Sequence, residues 1–308
     1  MLNDKYQKLA EALKEQYKDA LILTEEPMKN HTTFRIGGSA DIYIEPAYSS
    51  IISLVQYLRA SAVPFMVIGN GSNLLVSDAG IEGVVIALGK KSSEITISGD
   101  TIVAEAGALL STVANAAADA GLTGLEFASG IPGSIGGAVF MNAGAYGGEI
   151  KDVLESVTIL TADMEKRVLL PEDLQLSYRH SSLMEEGGYV LLATLKLSRG
   201  NKDEIKAKID DIRRQRIEKQ PLNFPSAGST FKRPTGYFAG KLIDDAGLRG
   251  YTVGGAQVSE KHCGFVINKG GATAADVLQL MKDVDEKVYN EFGVHLTPEV
   301  RIVGRDFS

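Results

Sequence analysis

The segment FASGIPGSIGGAVFMNAGAYGG, residues 127–148, most constrains how this chain can fold, because glycine recurs every few residues among apolar side chains. Each glycine weakens a helix or a strand by roughly 1 kcal/mol relative to alanine. Glycine has no Cβ, so it lets the backbone approach a neighbouring group closely. The pattern therefore predicts backbone held against a ligand. The alternative is a tightly packed helix–strand junction.

A second glycine loop, GNGSNLL (69–75), follows an apolar strand at 65–68. Backbone N–H groups at a tight glycine turn form a nest for anionic oxygens, and Ser72 and Asn73 add side-chain donors. A dinucleotide-binding fingerprint needs a glycine where Leu74 stands, and the chain lacks the Gly-Lys-Ser/Thr of a Walker loop. A plain turn is the alternative for this loop alone. Two such loops in one chain favour a phosphate or pyrophosphate site.

Composition narrows the functional classes. The chain has 308 residues, enough for two or three domains, and a formal net charge of −7, which argues against a general nucleic-acid or membrane partner. Cys263 is the only cysteine, so neither an intrachain disulfide nor a cysteine cluster for zinc or iron–sulfur is possible. The first residues form a charged amphipathic pattern without the apolar core of a signal peptide. We expect a cytoplasmic protein.

Hydrophobic periodicity predicts an α+β fold with at least two domains. The predicted helices are 1–20 with Leu9, Leu13 and Tyr17 on one face, 49–62 capped by serine, 108–121 ended by glycine, 201–221, and a helix capped by Thr273 and Asp276. The predicted strands are 41–46, a strand within 64–76 that runs into a glycine turn, 83–88, a hairpin over 94–107 that turns at Gly99 and Asp100, 153–160 and 189–197.

Three segments, NHTTFRIGGSADIYIEP, GNGSNLLVSDAGIEGVVI and GLEFASGIPGSIGGAVFMNAGAYG, resemble the UDP-N-acetylenolpyruvoylglucosamine reductase (MurB) family, and YRHS, AGSTFKRP and LTPEVRIVG continue the match. The resemblance covers about residues 25–304. It implies an FAD-binding domain of the vanillyl-alcohol oxidase/PCMH type plus a smaller α+β substrate-binding domain. The implied organisation is an N-terminal helical arm at 1–30, an FAD-binding domain at 31–200 split near residue 90, a substrate-binding domain at 215–298, and a C-terminal strand at 299–308 with a catalytic glutamate.

The resemblance implies that the glycine-rich loops lie along FAD, with NADPH as the hydride donor. Neither loop contains the histidine or cysteine that covalent attachment usually needs, so we expect non-covalent FAD. The residues expected to bind it are Gly69, Asn70, Gly71, Ser72, Asn73, Leu74, Ser129, Gly130, Ile131, Pro132, Ser134, Gly136, Gly137, Asn142, Gly144 and Tyr146.

The implied reaction reduces an enolpyruvyl ether to a lactyl ether in peptidoglycan precursor synthesis. Negative charge develops at the α-carbon and its carboxylate, so a cation or donor must stabilise it and a proton must be delivered. The resemblance assigns these tasks to Arg179 in SYRHS, Ser229 in SAGSTFKRP and Glu299 in TPEVRI. Without the resemblance, a surface salt bridge, a turn serine and a strand-edge glutamate are the ordinary interpretations.

The implied substrate is an anionic UDP-sugar, and Lys219, Lys232 and Arg233 are expected to pair with its diphosphate. Arg233 replaces an asparagine that is frequent in the family's other branch, and a longer tyrosine-bearing loop is not found, so the chain resembles the shorter, type II branch. We expect a monomer without a nucleic-acid, membrane or metal partner. The alternatives are another FAD oxidase or dehydrogenase on the same fold, and a nucleotide-binding module without turnover.

The remaining reactive side chains are expected to be structural. His31, His180 and His262 lie within or near the matching motifs, and each is predicted to have a hydrogen-bonded structural role. Of the three, His180 is the one to test, because it follows Arg179. Cys263 is predicted to be a small buried apolar residue.

Overall fold

The computed structural model describes residues 3–307, which fold into helices and strands in an α+β arrangement. They form two compact units. The first consists of the described residues up to Thr24, Ile42–Asn70 and Gly83–Gln215; the second consists of Glu25–Asp41, Gly71–Glu82 and the described residues from Arg216 onward. Each unit has its own buried apolar core. The functional domain boundaries predicted above stay a prediction.

The regular elements are numbered here in chain order. The helices are α1 (Asp4–Gln16), α2 (Ile51–Ala60), α3 (Leu110–Asp119), α4 (Ile135–Phe140), α5 (Leu183–Glu186), α6 (Lys202–Lys219), α7 (Ala239–Asp245) and α8 (Ala274–Phe292). The strands are β1 (Leu21–Pro27), β2 (Ser39–Glu45), β3 (Phe65–Ile68), β4 (Leu74–Val76), β5 (Ile81–Ala87), β6 (Ile95–Ser98), β7 (Thr101–Glu105), β8 (Leu122–Thr123), β9 (Gly144–Ala145), β10 (Gly148–Glu149), β11 (Leu154–Leu160), β12 (Lys166–Leu169), β13 (Tyr189–Lys196), β14 (Ser198–Arg199), β15 (Ser226–Ser229), β16 (Thr252–Val253), β17 (Ala256–Val258), β18 (Phe265–Asn268) and β19 (Arg301–Val303).

The first unit is built on two sheets. One has the strand order β1-β2-β5-β3, in which β3 and β5 are parallel; the other has the order β12-β11-β13-β7-β6 and is antiparallel throughout. Helix α3 buries a face made of Leu110, Val113 and three alanines. Small side chains on that face let the helix approach the core closely. Helix α4, which contains Gly136 and Gly137 of the 127–148 segment, packs against β13.

The second unit has a four-stranded antiparallel sheet in the order β15-β18-β17-β16, with α8 packed against β16 and β17. Helix α8 begins with the predicted capping pair, in which the Thr273 side chain accepts from the Asp276 N–H and the Asp276 side chain accepts in return. Its apolar stripe is buried as predicted: Val277, Leu280, Met281, Val284 and Val288. Strand β19 pairs in parallel with β4, with Arg301 opposite Leu74. This pairing brings the end of the GNGSN loop to the segment that contains Glu299.

Most predicted elements are confirmed; the two differences are the end of helix α1, predicted at residue 20, and the cap of helix α2. Helix α1 ends at Gln16, and Leu9, Leu13 and Tyr17 are buried as predicted. The hairpin of β6 and β7 turns at Gly99 and Asp100. The serine cap of α2 is wrong, because a short 3-10 turn precedes the helix and holds Ser50 in a helical conformation (φ −98°, ψ −9°), from which its side chain caps nothing.

Candidate active site

The two glycine-rich loops lie next to each other at Gly69 and Asn70 in the first unit. A Cβ added to Gly69 would lie only 2.0 Å from Ser134 Oγ, so a larger residue there would require the Ser134 side chain to move. The side-chain amide of Asn70 donates to the Pro132 carbonyl at 2.6 Å. The structure therefore brings together two segments that sequence reasoning assigned to one ligand, although 62 residues separate Asn70 from Pro132.

Ser134 provides the test of whether a cofactor fits between these loops. Its side chain is 2% exposed, and within the described part of the chain its buried Oγ has no hydrogen-bond partner. A buried hydroxyl without a partner costs about 1–3 kcal/mol unless a ligand or water satisfies it. Beside it, a Cβ on Gly137 would meet nothing nearer than Ser134 Oγ at 3.9 Å. A free polar group next to open space fits the polar part of a bound nucleotide cofactor.

Two other glycines of the 127–148 segment lie close to the protein's own side chains. A Cβ on Gly136 would lie 3.0 Å from the Ala106 Cβ, and one on Gly148 would lie 2.6 Å from the Phe127 ring. The N–H of Gly136 also donates to the Ala106 carbonyl at 2.8 Å. These contacts are those of a tightly packed junction, whereas Gly137 remains open on the side of Ser134; the role of Gly136 toward a cofactor stays a prediction.

The residues between Ser129 and Tyr146 are held by buried side-chain hydrogen bonds. Ser129 and Gly130 end a 3-10 helix, and Ile131 packs against the core of the first unit. Asn142 is fully buried with φ +42°, and its amide nitrogen donates to Glu149 Oε2 at 2.6 Å and to the Ser177 carbonyl at 2.9 Å.

Two further predicted cofactor residues follow Asn142 in this segment. Gly144 begins β9, while the Tyr146 side chain is 39% exposed. Through its hydrogen bond to the Ser177 carbonyl, Asn142 fixes this segment to the turn that carries Arg179. The structure describes all these positions, and their role toward a cofactor stays a prediction.

Arg179 lies at the tip of a tight turn. Ser177 and His180 donate to each other's carbonyl at 3.2 Å, and Arg179 between them has φ +55°, a conformation that costs a non-glycine residue of order 1 kcal/mol or more. Its guanidinium lies 4.9 Å from the centre of the Tyr178 ring and donates to the Gly144 carbonyl at 2.9 Å. A strained backbone that aims a cation in this way is typical of a functional position.

His180 has structural partners. Its ring nitrogens lie 3.3 Å from the Gln175 carbonyl and 3.2 Å from Glu185 Oε1. These contacts match the structural role predicted for it. His262 is held by a hydrogen bond from the Gly264 N–H at 3.1 Å, and burial lowers its pKa. Cys263 is buried, as predicted, and burial raises its pKa to about 11.

Ser229 and Glu299 lie on neighbouring segments of the second unit. Ser229 ends β15, and the next residue, Thr230, accepts from the Glu299 N–H at 2.8 Å through its carbonyl. Beyond it, Phe231 forms a β-bridge with Pro298, and the Lys232 N–H donates to the Thr297 carbonyl at 2.8 Å. Both side chains are half-buried. An extended backbone pairing thus sets the two residues side by side.

The second half of the GNGSN loop also belongs to the second unit. Gly71 has φ +60°, and a Cβ there would lie 2.1 Å from the His31 carbonyl oxygen, so only glycine fits. Ser72 and Asn73 are half-buried, and Leu74 is buried at the start of β4. Asn73 donates from its side chain to the Glu299 carbonyl at 3.0 Å and accepts from the Arg301 N–H at 2.9 Å.

The predicted substrate cations also lie in the second unit. Lys219 is the exposed last residue of α6, and Lys232 is half-buried. The Arg233 guanidinium lies 4.2 Å from the centre of the Phe238 ring, whose side chain is 61% exposed. Their role toward a diphosphate stays a prediction.

Sequence reasoning missed Glu126, a buried carboxylate at the start of the 3-10 helix that leads into the glycine-rich segment. This carboxylate is 3% exposed and accepts from Thr123 Oγ1 at 2.6 Å and from the Gly124 N–H at 3.0 Å; Lys208 Nζ lies 3.5 Å away. Burial alone would raise its pKa, but these hydrogen bonds and the lysine outweigh burial and lower it. The only signal in the sequence was a charged residue inside the otherwise apolar GLEFASG.

Within residues 3–307, no helix has both the length and the apolar character needed to cross a bilayer.

Comparison with known proteins gives two family matches. A model of the FAD binding domain matches residues 41–166, and a model of the UDP-N-acetylenolpyruvoylglucosamine reductase C-terminal domain matches residues 220–303. The first match covers both glycine loops, and the second covers the segments that carry Ser229 and Glu299. The predicted fold class is thereby confirmed.

Full-length relatives agree with these matches. UDP-N-acetylenolpyruvoylglucosamine reductase of Agathobacter rectalis is 58% identical, over 97% of this chain and 99% of the relative. The protein of that name from Caldanaerobacter subterraneus subsp. tengcongensis is 52% identical, over 96% of this chain and 98% of the relative. The crystal structure of UDP-N-acetylenolpyruvylglucosamine reductase (MurB) from Thermus caldophilus superposes with a TM-score of 0.78 at 37% identity, covering 92% of this chain and 98% of that one.

Proposed function

Because the chain belongs to the UDP-N-acetylenolpyruvoylglucosamine reductase (MurB) family, we propose which of its residues carry out the family's reaction. The predicted resemblance is confirmed. The protein is an FAD-dependent oxidoreductase that reduces UDP-N-acetylglucosamine enolpyruvate to UDP-N-acetylmuramate in peptidoglycan precursor synthesis, with NADPH as the hydride donor. What remains to be assigned is the role of each side chain.

FAD is assigned to the glycine loops of the first unit. Bound there, FAD would supply the transfer of a hydride from NADPH to the vinyl carbon of the substrate. Ser134, with its buried and unpartnered hydroxyl, is assigned a hydrogen bond to the polar part of the cofactor, and Gly137 leaves room beside it. Ser129 to Pro132 and Asn142 to Tyr146 shape the same loop, and the contact between Asn70 and Pro132 fixes one loop against the other.

Arg179 is assigned the stabilisation of the substrate's negative charge. As hydride reaches the vinyl carbon, electron density moves to the α-carbon and into its carboxylate. A guanidinium stays protonated and pairs with a carboxylate through two parallel N–H donors. The positive-φ turn fixes the guanidinium before substrate arrives, so that little reorganisation is needed during the reaction.

Ser229 is assigned as the proton donor to the α-carbon, and Glu299 as the group that orients the reacting centre or relays the proton. A neutral hydroxyl delivers a proton without placing another charge beside the substrate. The observation that carries this assignment is the backbone hydrogen bond between the Glu299 N–H and the Thr230 carbonyl, which sets Glu299 beside the residue that follows Ser229. With one hydride and one proton added, the C=C bond becomes the CH–CH₃ of the lactyl ether.

The diphosphate of the substrate is assigned to Lys219, Lys232 and Arg233, through charge-assisted hydrogen bonds. We further propose that the protein is a cytoplasmic monomer with no nucleic-acid partner. Its net charge of −7 argues against a general nucleic-acid partner. The proposed functional domains keep the predicted limits: FAD-binding at 31–200, substrate-binding at 215–298, and a C-terminal strand that begins with the catalytic glutamate.

Ser229→Ala tests the proton-donor assignment. Flavin reduction by NADPH should stay within about twofold of wild type, whereas oxidation of reduced flavin by the enolpyruvyl substrate should slow by about 10²–10³-fold, the usual range for losing a general acid. Stopped-flow absorbance of the flavin separates the two half-reactions. Ser226→Ala, on the same strand, is the matched control and should change neither rate. If Ser229→Ala slows both half-reactions equally, or neither, the proton-donor role is refuted.

A further inference from the structure

Asn73 connects the GNGSN loop to the segment that carries Glu299. Its side-chain nitrogen Nδ2 donates to the Glu299 carbonyl at 3.0 Å, and its own carbonyl accepts from the Arg301 N–H at 2.9 Å. These two bonds lie on either side of Val300. They continue, by one residue, the parallel pairing in which Arg301 lies opposite Leu74.

We propose that Asn73 is a positioning residue for Glu299 in the substrate half-reaction. The inference rests on the role of Glu299 given under Proposed function and goes beyond it, since it assigns the side chain of Asn73 a task in placing a carboxylate. The sequence alone placed Asn73 among the cofactor contacts. The observed side-chain bond points toward the catalytic segment.

The backbone N–H of Glu299 is already held by a main-chain hydrogen bond. Its N–H donates to the Thr230 carbonyl at 2.8 Å. The Asn73 amide holds the carbonyl side, so the Glu299 peptide groups are fixed from two neighbouring segments within one unit. Removing the amide leaves the Arg301 bond and the Thr230 bond in place. The backbone then gains freedom at the carbonyl of Glu299, and a displacement of about 1 Å at a reacting group can cost on the order of 100-fold in rate.

The chemistry of the bond explains why asparagine stands here. The acceptor is a backbone carbonyl, so the partner must donate, and the distance suits a side chain with one methylene. Glutamine has the donor on a chain longer by one methylene. Aspartate has the right length, but its carboxylate would face the carbonyl oxygen and add a negative charge near Glu299. Both replacements should therefore fail in different ways.

The experiment compares Asn73→Ala and Asn73→Asp with wild type as FAD-loaded holoenzymes. The dissociation constant for FAD is measured for each variant, and both half-reactions are followed with FAD saturating, so that any lost cofactor contact of Asn73 is separated from its effect on Glu299. Oxidation of reduced flavin by the enolpyruvyl substrate should slow by about 10-fold to 100-fold, more in Asn73→Asp than in Asn73→Ala. Asn268→Ala is the control for general destabilisation, because Asn268 also donates from its side chain to a carbonyl in the same unit, that of Phe34 at 3.3 Å. It should lower the unfolding midpoint without a selective change in the second half-reaction.

A double-mutant cycle with Glu299→Gln separates this inference from the function on which it rests. In the Glu299→Gln background, Asn73→Ala should change the substrate half-reaction by less than about twofold, because the carboxylate it positions is gone. Full additivity of the two substitutions would overturn the inference, and so would loss of FAD with a normal second half-reaction. If Glu299→Gln alone leaves that half-reaction unchanged, the proposed role of Glu299 fails instead.

Discussion

The two units hold their proposed catalytic residues in different ways. In the first unit, side-chain hydrogen bonds and close glycine contacts fix the loops: Asn142 donates to the Ser177 carbonyl, and Arg179 sits at φ +55°. In the second unit, backbone hydrogen bonds between extended segments fix the residues, and Thr230 is bonded in this way to Gly264 and to Glu299. Irregular loops can surround a cofactor but depend on single side chains, whereas an extended ladder spreads the same task over many peptide groups.

Substitution of Arg179 should have the largest effect. Both Arg179→Ala and Arg179→Gly remove the guanidinium, so both should slow oxidation of reduced flavin by the substrate by about 10²–10³-fold, the range for losing one donor aimed at developing charge. Flavin reduction by NADPH should be nearly unchanged. Rapid-mixing absorbance measures both rates. A normal second half-reaction in either variant would remove Arg179 from the reaction.

Glu126 tests how much the first unit depends on one buried acceptor. In Glu126→Gln, one of the donors from Thr123, Gly124 or Lys208 faces an NH₂ group instead of an oxygen, so the free energy of unfolding should fall by about 1–3 kcal/mol at pH 7. Urea unfolding measures the change. The exposed ion pair of Asp119 with Lys206 supplies a control, because Asp119→Asn should cause no measurable change.

The effect of Glu126→Gln should also depend on pH. The native pKa of Glu126 is lowered from its ordinary value of 4.5, so the stabilisation that the ionised form provides is complete above about pH 4.5 and is lost as the pH falls through the native pKa. Wild type and variant should therefore differ most at pH 7 and converge in acid. A difference that grows as the pH falls would contradict the assignment.

The smallest effect is a reversal in the order of alanine and glycine between the units. At position 179 the left-handed backbone favours glycine, so Arg179→Gly should be more stable than Arg179→Ala by about 1 kcal/mol. At position 229, at the end of β15, the extended backbone favours alanine, so Ser229→Ala should be more stable than Ser229→Gly by about 0.5–1 kcal/mol. Chemical denaturation of the four variants compares them. If the alanine and glycine variants have the same order of stability at both positions, the proposed difference between the two units is wrong.

The sequence predicted those features whose signal lies within a short segment. The capping pair and apolar stripe of α8 are readable from spacing, and the two glycine loops stand out by composition. The family motifs added Arg179, Ser229 and Glu299, for which the residues alone favour ordinary surface or turn roles.

The rest depended on contacts between distant segments. Gly136 faces Ala106, and the amide of Asn73 reaches the carbonyl of Glu299, 226 residues away. No local pattern encodes such pairs. The failed serine cap of α2 has a local cause instead, since the 3-10 turn before the helix takes Ser50 out of the capping conformation.

The most direct test of the cofactor site compares valine at two adjacent glycines, with free flavin fluorescence measured on serial dilution of each holoprotein. Gly137 faces open space beside the unpartnered Ser134 hydroxyl, so Gly137→Val should raise the dissociation constant for FAD at least about tenfold while the unfolding midpoint of the protein stays normal. Gly136 faces Ala106 at 3.0 Å, so Gly136→Val should lower the unfolding midpoint. A stable Gly137→Val protein that holds FAD as tightly as wild type would contradict the placement of the cofactor against this loop.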